Sequence, residues 1–504
     1  MIVSHARFMT DDQVRRTHDA SLEILAQVGL LVRNSKARDR LARHGCAVDT
    51  DTGVVTFPAA VVEEFRAMVP ATFTLRGRDP AFDLTVPRAV PAFTTASSAP
   101  DVLDPVSGQV RRATSADIAR LGHLVNELDG FDVFSISVLA DDAPAGQFSL
   151  SRFYPALKNC VKPCRTSVID LAEARQVLAL GELIAGSPAA YAARPFITFG
   201  HCPVVSPLTM DFDSTEMLMF FAENGIPNYG TIAPIGGLSA PLSLPGMMAQ
   251  MNAEWLAMAA LAQMSGPGTP MLYNFLPVFA DMRDGAFAPG GIETAVMAGA
   301  VAAMGRFYGV PTGGYLGLTN ATVSDAQAGF EKAMAPLLAA LAGIDYVVMG
   351  GLTDALMCLD YAQLAIDDEI ALMVKRAVAG LGFDEAALSL DEIRAVGPGG
   401  IFVDTAQTFA RMKTATLLPR LANRLPREVW AATGATDIRF RALEQVRAVL
   451  TRPNPRALAP EVDARVRAAF DGLVAGDSVP PAGWTPPHAG RGRRQTRRRA
   501  GRRD

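Results

Sequence analysis

The chain has 504 residues, 49% of them hydrophobic and 19% charged, which excludes disordered, collagen-like and disulfide-rich classes of protein. Its five cysteines form no CxxC pair, so neither a disulfide framework nor a zinc ribbon is indicated. The net charge of −4 is unevenly distributed, because residues 491–504 carry +7 and the remainder carries −11.

The first residues, MIVSHARFMTDDQVRR, become charged early and lack the apolar stretch and cleavage site of a signal peptide. No uninterrupted apolar run approaches the roughly 20 residues that span a bilayer. We therefore expect a soluble, cytoplasmic protein that binds no membrane.

Residues 1–110 are predicted to form a small N-terminal α+β cap. Thr10 and Gln13 have the spacing of a capping box at the start of a helix. The pattern then predicts a helix over 36–44, a turn at 49–53, a strand with alternating Val55 and Phe57, and a helix opened by Pro58.

From about residue 130 short apolar runs alternate with amphipathic helices, the pattern of parallel strands with helical crossovers. Seven candidate strands start at residues 131, 164, 195, 226, 270, 310 and 344, a spacing of 31 to 44 residues that suits a repeated βα unit. An eighth strand is needed to close a barrel, and the best candidate is GGIFVD from residue 399. The predicted fold is thus α/β, a (β/α)8 TIM barrel over 111–475 that includes C-terminal helices.

The alternative architecture is an open doubly wound sheet, which usually carries a glycine-rich nucleotide motif after its first strand. The sequence contains neither GxGxxG nor GxxxxGK[ST], so the barrel is favoured. Residues 476–504 are predicted to be a Pro/Arg-rich disordered tail. Such a tail is more often a solvated end than a nucleic-acid site, and we expect no nucleic-acid partner.

Active sites of β/α barrels lie where the strands end, which nominates the residues just after each apolar run. The end of the barrel that these residues form, here called the mouth, is rich in Gly, aromatic and amide groups. No metal site or paired acid and base is evident in it. Aromatic rings there either form a cage for an ammonium ion or fill the core, and the residues alone leave both open. The aromatic set is Tyr229, Tyr273, Phe275, Tyr315 and Phe330.

Several stretches resemble the trimethylamine:corrinoid methyltransferase family. The most specific is DAQAGFE at 325–331, within a similar segment that starts at Val310. Agreement extends to TTASSAPDVLDPVSGQVRRAT from 94, SPLTMD at 206, GGLSAPLSLPG at 236 and GGIFVDTAQTF at 399. The resemblance covers residues 8 to about 455.

The resemblance implies a (β/α)8 enzyme that passes a methyl group from a methylated amine to Co(I) of a separate corrinoid protein. Cobalamin is then supplied by that partner and is not held permanently by this chain. In agreement, the sequence lacks the corrinoid-ligating motif DxHxxG around all six of its histidines.

Trimethylamine-specific members of the family carry pyrrolysine at a position that corresponds to Phe330. A member without pyrrolysine suits quaternary amines of the betaine class, such as glycine betaine, because the departing amine is neutral. Carried over by resemblance, Phe330, Gln327 and Glu331 are the expected catalytic residues. The expected substrate-binding residues are Tyr229, Asn274, Phe275, Tyr315, His201, Gly350 and Gly351.

Three alternatives remain open from the sequence. A non-catalytic betaine-binding or regulatory protein is suggested because Val348, Met349 and Gln407 stand where many members have His. A trimethylamine methyltransferase is the second alternative, and a barrel lyase is the third. We also expect a homo-oligomer.

Overall fold

The computed structural model describes residues 6–383 and 386–485. Its N-terminal elements largely follow the predicted pattern. Thr10 and Gln13 form a complete capping box. Pro58 was expected to be the first residue of the third helix but is its N-cap, so the helix begins one residue later, at Ala59. In chain order these elements are α1 (Asp11–Gln27), β1 (Leu30–Val32), α2 (Ser35–Arg43), β2 (Ala47–Val48), β3 (Val54–Thr56), α3 (Ala59–Arg66), β4 (Phe73–Leu75) and β5 (Leu84–Val86).

The central part of the chain alternates strands with helices. Its first half comprises β6 (Ala92–Thr95), β7 (Asp101–Leu103), β8 (Val110–Arg112), α4 (Ser115–Asn126), β9 (Phe134–Ser135), α5 (Leu150–Asn159), β10 (Cys164–Thr166), α6 (Leu171–Ala185), α7 (Pro188–Ala193), β11 (Ile197–His201), β12 (Val204–Val205), β13 (Thr209–Met210), α8 (Phe212–Glu223), β14 (Asn228–Gly230), β15 (Ile235–Gly236) and α9 (Leu244–Ser265).

The second half ends in a run of helices. It comprises β16 (Tyr273–Phe275), β17 (Val278–Asp281), β18 (Ala286–Ala288), α10 (Ile292–Tyr308), β19 (Thr312–Tyr315), α11 (Ala326–Ala342), β20 (Tyr346–Gly350), β21 (Leu352–Thr353), β22 (Cys358–Asp360), α12 (Tyr361–Val378), α13 (Leu390–Val396), α14 (Ala406–Arg411), α15 (Arg427–Ala432), α16 (Ile438–Leu450) and α17 (Pro460–Ala469).

The fold is a helix-rich α/β fold with two four-stranded parallel sheets. One sheet has the order β14-β11-β10-β9 and the other β16-β19-β20-β6. Isolated parallel bridges join the sheets on both sides, Thr94 with Val133 and Ile232 with Phe275. Each of the seven strands predicted between 131 and 351 overlaps an observed one, which confirms those predictions.

The predicted eighth strand is wrong. Residues 399–404 form no strand, and Ile401 and Val403 are 70% and 76% exposed, so this apolar run pairs with no sheet in the described chain. The eighth parallel strand is instead β6, whose four residues are all buried and which pairs with β20. Strand β6, which lies before the domain boundary predicted at residue 110, is therefore hydrogen-bonded to a strand that lies after it.

Two small sheets extend from the carboxyl ends of the parallel strands. One has the order β21-β22-β7-β8 and the other β15-β17-β18. Because each follows directly from a parallel strand or the loop after it, these sheets form part of the rim around the strand ends. The sheet β12-β13-β1-β3-β2 joins the N-terminal elements to the segment after β11.

Helix α9 is buried almost all round, since it packs between the N-terminal helices and the parallel strands. The Trp255 indole donates a hydrogen bond to the Leu272 carbonyl at 2.9 Å, which attaches the helix to the segment before β16. In the described part of the chain, no helix combines the length and apolarity needed to cross a membrane.

Candidate active site

Four buried side chains near the carboxyl ends of neighbouring parallel strands have polar atoms that find no hydrogen-bond partner among the described residues. These atoms are Arg165 Nε on β10, both ring nitrogens of His201 on β11, the Tyr229 hydroxyl on β14 and Asn274 Oδ1 on β16. Buried polar groups are paired in most proteins, so a cluster of unpaired ones is a feature of sites that bind a ligand. We take this cluster as the candidate active site.

His201 is neutral in this environment. Burial lowers the pKa of its imidazole to about 3, and the nearby Arg165 cation acts in the same direction. The ring packs edge-on against Phe221 at 5.5 Å between centroids. It therefore offers the site a neutral donor and acceptor and no charge at physiological pH.

Arg165 is 2% exposed and has an unusual set of neighbours. Its guanidinium lies over the rings of Tyr229 and Tyr346, 5.3 and 5.8 Å from their centroids, and Nη1 is 3.5 Å from the Tyr346 hydroxyl. The two rings are nearly parallel and 6.2 Å apart. Within residues 6–383 and 386–485, no carboxylate lies within salt-bridge distance of this cation.

Gly200 makes room for the guanidinium. A Cβ at this position would lie 2.5 Å from Arg165 Nη2. Since Arg165 pairs with Thr198, its side chain reaches two residues along β11 towards the carboxyl end of that strand. The cation is thereby directed towards the end where chemistry is expected.

A second buried arginine supports the rim of the site. Arg152 on α5 is 1% exposed and donates hydrogen bonds to the hydroxyls of Ser98, at 2.6 Å, and Thr166. Burial lowers the pKa of its guanidinium to about 10, so it remains charged at neutral pH. Its contacts fix the turn after β6 against the end of β10.

Hydroxyl groups line the neighbouring part of the rim. The Ser135 hydroxyl donates to the Ser97 hydroxyl at 3.0 Å, and the Tyr315 hydroxyl on β19 hydrogen-bonds with Ser97. Burial raises the pKa of Tyr315, which keeps this phenol protonated. Tyr315, one of the predicted substrate-binding residues, therefore lies near Arg165 and Ser97.

Only one of the two polar atoms of the Asn274 side chain is hydrogen-bonded. Its amide nitrogen donates to the Thr231 hydroxyl at 2.7 Å, while Oδ1 lacks a partner. The Thr231 amide in turn donates to the His201 carbonyl at 3.0 Å, which links the two predicted residues through one loop. The His201 backbone thus lies beside Asn274, while the His201 ring packs against Phe221 of α8. The substrate-binding roles of Tyr229, His201 and Asn274 stay predictions.

Phe275 is separated from these residues. Its ring packs edge-on against Tyr273 at 4.5 Å, and Tyr273 packs against Trp255 and donates to Asn252 of α9 at 2.6 Å. Side chains alternate between the two faces of a strand, so Phe275 faces the helix layer and Asn274 the other side. Tyr273 and Phe275 therefore fill the core between strands and helices.

The three residues expected to be catalytic lie on α11. Phe330 is 54% exposed on the outer side of this helix, away from the clustered polar groups. Glu331 accepts hydrogen bonds from the Thr319 hydroxyl and from the Asn320 amide at 2.9 Å, and Gln327 donates to Glu331 at 3.0 Å. Gln327 and Glu331 thus hold the loop after β19.

Gly350 and Gly351 also serve the local structure. The Gly351 amide donates to Asp367 at 2.7 Å, so it is not available to a substrate carboxylate. A Cβ at Gly350 would lie 2.5 Å from the Phe131 ring. These glycines allow close packing at the end of β20.

The aspartates near the strand ends are engaged in structural contacts. Asp142 accepts from the Ser115 amide and hydroxyl at 2.7 and 2.6 Å, Asp170 caps α6, and Asp141 pairs with Arg112. In the described residues, no group of three or more His, Cys, Asp or Glu is arranged to hold a metal ion. The chemistry available here is hydrogen bonding, cation binding by rings and the charge of Arg165.

The sequence argument did not identify Arg165, Arg152 or Ser97. The sequence does contain an indication of Arg165, because a charged residue is unusual inside a predicted buried strand such as CRTSVI. It contains none of Arg152, since an arginine on an amphipathic helix is ordinarily exposed.

The chain is similar to known methyltransferases over most of its length. The sequence profile of the family described as trimethylamine methyltransferase (MTTB) matches residues 2–472. A trimethylamine methyltransferase MttB of Desulfitobacterium hafniense strain DCB-2 is 28% identical, covering 92% of this chain and 93% of that protein. A glycine betaine methyltransferase of Desulfitobacterium hafniense strain Y51 is 30% identical, covering 91% and 95%.

A trimethylamine methyltransferase MttB of Methanosarcina barkeri is also 30% identical, covering 88% of this chain and 90% of that protein. Among solved structures, a dihydropteroate synthase of Xanthomonas albilineans covers 61% of the chain with a TM-score of 0.37 and 14% identity. A similarity at that level supports no conclusion about this protein.

Proposed function

Because the chain belongs to the trimethylamine methyltransferase family, a family of methyltransferases, we propose that it moves a methyl group from a quaternary methylated amine to a corrinoid protein. The substrate is of the betaine class. The acceptor is Co(I) of a cobalamin carried by that separate protein.

We infer that the eight parallel strands close into a (β/α)8 barrel. The two four-stranded sheets are joined on both sides by parallel bridges, Thr94 with Val133 and Ile232 with Phe275, which supports closure. In such a barrel the strand ends that carry Arg165, His201, Tyr229 and Asn274 surround one mouth.

One observation carries the choice of a quaternary amine. The unpaired groups of the mouth are a neutral imidazole, a phenol, an amide and a guanidinium, and the nearby aspartates are engaged elsewhere. When a quaternary ammonium loses a methyl group, the C–N bond breaks and the electron pair leaves on a neutral tertiary amine. No proton has to be moved, so a mouth without an acid and base pair suits this reaction.

In this mechanism the residues of the chain bind and orient the substrate and exclude water from it. The phenol ring of Tyr315 offers a neutral, polarisable surface near the ammonium, and Asn274 offers a free carbonyl oxygen. The methyl group must point out of the mouth in line with the incoming cobalt, so catalysis is mainly positioning and desolvation.

Cobalamin acts here as the methyl-accepting substrate on a partner protein. Two of the described histidines are engaged elsewhere, His18 with Tyr308 and Glu63, and His123 with Ser478. His201 is 6% exposed within the mouth, and His44 hydrogen-bonds to its own helix. Delivery of the corrinoid by a partner is what membership of this family implies. His5 and His488 lie outside the described residues.

The test is methyl transfer with the full chain. The protein is incubated with free Co(I) cobalamin or a corrinoid protein and with glycine betaine, proline betaine, carnitine or trimethylamine. We expect spectroscopically detected methylcobalamin from at least one betaine. Its absence with every quaternary amine contradicts the proposal, and product from trimethylamine alone favours the tertiary-amine alternative.

The regulatory alternative is distinguished by binding. Many family members have His where this chain has Met349 and Gln407, which is the reason to consider a protein that binds without turnover. Calorimetry that detects tight betaine binding, with no demethylation even in the presence of the cognate corrinoid protein, favours that alternative.

A further inference from the structure

We propose that Arg165 binds a carboxylate of the substrate, so that the enzyme accepts zwitterionic betaines and rejects methylammonium compounds that carry no anion. This inference rests on the proposed function and identifies a specificity-determining residue that the sequence did not reveal. It depends on the surroundings of one buried cation.

The first argument is the lack of a counter-ion. A buried charge is strongly disfavoured unless it is paired, and proteins rarely keep one without a carboxylate or ligand. Arg165 is 2% exposed, yet its described neighbours are the phenols of Tyr229 and Tyr346 and the neutral His201. The missing partner is an anion.

The second argument is geometry. A guanidinium binds a carboxylate through two parallel N–H donors along one edge of its planar fork. Nη1 of Arg165 faces the Tyr346 hydroxyl, whereas Nε has no partner. The edge formed by Nε and Nη2 therefore has no acceptor among the described residues, and Nη2 occupies the space that a Cβ of residue 200 would fill.

The third argument is electrostatic. A bare quaternary ammonium ion near the Arg165 cation is repelled, because the described residues around it carry no compensating carboxylate. A betaine brings its own carboxylate, which pairs with Arg165 while the ammonium contacts the aromatic rings. Arg152, whose charge is partly offset by the nearby Glu173, acts as a positioning residue for the Ser98 turn.

The first experiment compares two ligands that share the trimethylammonium group. Binding of glycine betaine and choline to the full chain is measured by calorimetry, since choline replaces the carboxylate by a hydroxymethyl group. We expect choline to bind at least 100-fold more weakly. Equal affinity for both ligands would overturn the assignment.

The second experiment removes the cation. Arg165→Met is expected to reduce affinity for glycine betaine by 100-fold or more, and Arg165→Lys to restore part of it. The control is Arg175→Met, an arginine that packs over Phe220 at 4.8 Å on the outside of α6, and it should bind as wild type.

Thermal unfolding of the same variants separates recognition from a structural role. An uncompensated buried cation destabilises the empty protein, so Arg165→Met should keep or raise the midpoint. A lowered midpoint with unchanged betaine affinity would overturn the proposal. If betaine binds in an Arg165-dependent way but no methyl transfer occurs, the proposed function fails while this inference stands.

A separate observation points to an interface between two copies of the chain. Residues 386–437, here called the arm, include helices α13, α14 and α15, and none of these helices has a buried residue. Large apolar side chains of the arm face outward, with Val403 76% and Phe409 78% exposed. No described part of the chain covers them.

The arm exposes enough apolar surface for an interface. Eleven of its large apolar side chains are 43% to 78% exposed and together present roughly 1,000 Å². About 800 Å² per partner suffices for a standard interface. The arm is anchored to α12 where Glu369 accepts three backbone amides of residues 420–422.

We infer that the arm packs on a second copy of this chain. Large, strongly apolar interfaces are characteristic of permanent homo-oligomers. The sequence-based expectation of a homo-oligomer thereby gains a specific surface.

Sedimentation velocity tests this inference. We expect wild type to sediment as an oligomer at micromolar concentration and Val403→Asp/Phe409→Asp to shift towards the monomer. The control is Val28→Asp, which changes a valine that is 58% exposed just after α1.

Hydrogen exchange of wild type is a second measurement that needs no variant. Amides of 401–412 should be protected at high concentration and exchange faster on dilution. A monomeric wild type, or an arm variant with unchanged mass, would overturn the inference. Binding of the corrinoid protein to the arm, in place of a second copy of the chain, would also overturn the inference.

Discussion

At the scale of single residues, the site depends on which groups are left unpaired. Arg165, His201 and Asn274 are each buried with at least one free polar atom, whereas Glu331 and Gly351 are fully engaged in the local structure. Residue type alone did not separate these two groups. Their hydrogen-bond partners did.

Gly200→Ala should weaken substrate binding. The added Cβ would lie 2.5 Å from Arg165 Nη2 and must displace the guanidinium. We expect the KM for glycine betaine to rise by about 10-fold or more, since charge-assisted hydrogen bonds are worth roughly 1.5–3 kcal/mol. Steady-state kinetics measure this effect.

The matched control is Gly329→Ala, where a Cβ would meet no atom within 4 Å. Glycine inside a helix is less favourable than alanine by about 0.5–1 kcal/mol, so this variant should raise the unfolding midpoint. Unchanged KM in Gly200→Ala would contradict the assigned position of Arg165.

His201 should make the protein sensitive to mild acid. Its pKa is about 3 in the folded state and near 6.5 when unfolded, so between these values the unfolded chain binds a proton that the folded one excludes. Stability therefore falls as pH decreases from 6.5 towards 3, by up to ~1.4 kcal/mol per pH unit.

The comparison is between wild type and His201→Gln, with denaturant unfolding measured from pH 6.5 to 4. The wild-type curve should fall more steeply because the variant lacks the titrating ring. Parallel curves would show that folding does not lower the pKa of His201.

At the scale of elements, α11 connects the strand ends to the helix layer. Its inner face carries Ala328, Lys332, Ala335 and Ala339, at helical spacing, while Phe330 lies on the outer side. Lys332 is fully buried and donates to the carbonyls of residues 317, 349 and 352, with Asp367 at 3.2 Å. This helix thus positions the loops after β19 and β20.

Lys332→Met should strongly destabilise the fold. Removal of the ammonium leaves Asp367 as a buried, unpaired carboxylate, and breaking a buried pair costs about 3–5 kcal/mol. Chemical denaturation measures the loss. The double variant Lys332→Met/Asp367→Leu should recover part of it.

Lys36→Met provides the control for this prediction. Lys36 pairs with Glu216 on the surface and its side chain is 73% exposed, so its change should stay within about 1 kcal/mol. Similar losses for both lysines would contradict the structural role of the buried pair.

At the scale of the whole molecule, charge is divided between an acidic body and a basic end. Residues 491–504 hold eight arginines and one aspartate. They lie outside the described residues, as does most of the predicted tail from 476 onward. The proposed reaction depends on the mouth of the strands and assigns this end no part.

Deletion of residues 489–504 should therefore leave methyl transfer intact. Rates of methylcobalamin formation with glycine betaine are compared for the full and shortened chains at low and physiological salt. A collapse in rate would show that the arginine-rich end takes part, for example by binding the acidic face of a partner.

Much of the fold was predictable because hydrophobic periodicity is a local property. The seven strands from 131 to 350 and the Thr10 capping box were read from neighbouring residues. The eighth strand was not, because Ala92–Thr95 lies in the segment assigned to the N-terminal cap, before the repeat of strands and helices, and an exposed apolar run at 399 imitates a strand. Only pairing with β20 distinguishes the two.

The sequence by itself determined the class of fold and the family to which the chain belongs. It also nominated Tyr229, His201 and Asn274, which have unpaired buried polar atoms and whose part in binding stays a prediction. Tertiary structure decided the rest: that Phe275 and Phe330 point away, that Gln327 and Glu331 hold a loop, and that Arg165 stands without a counter-ion. The physical reason is that strand and helix formation follow local patterns. Whether a buried polar atom is paired depends on residues brought together from distant parts of the chain.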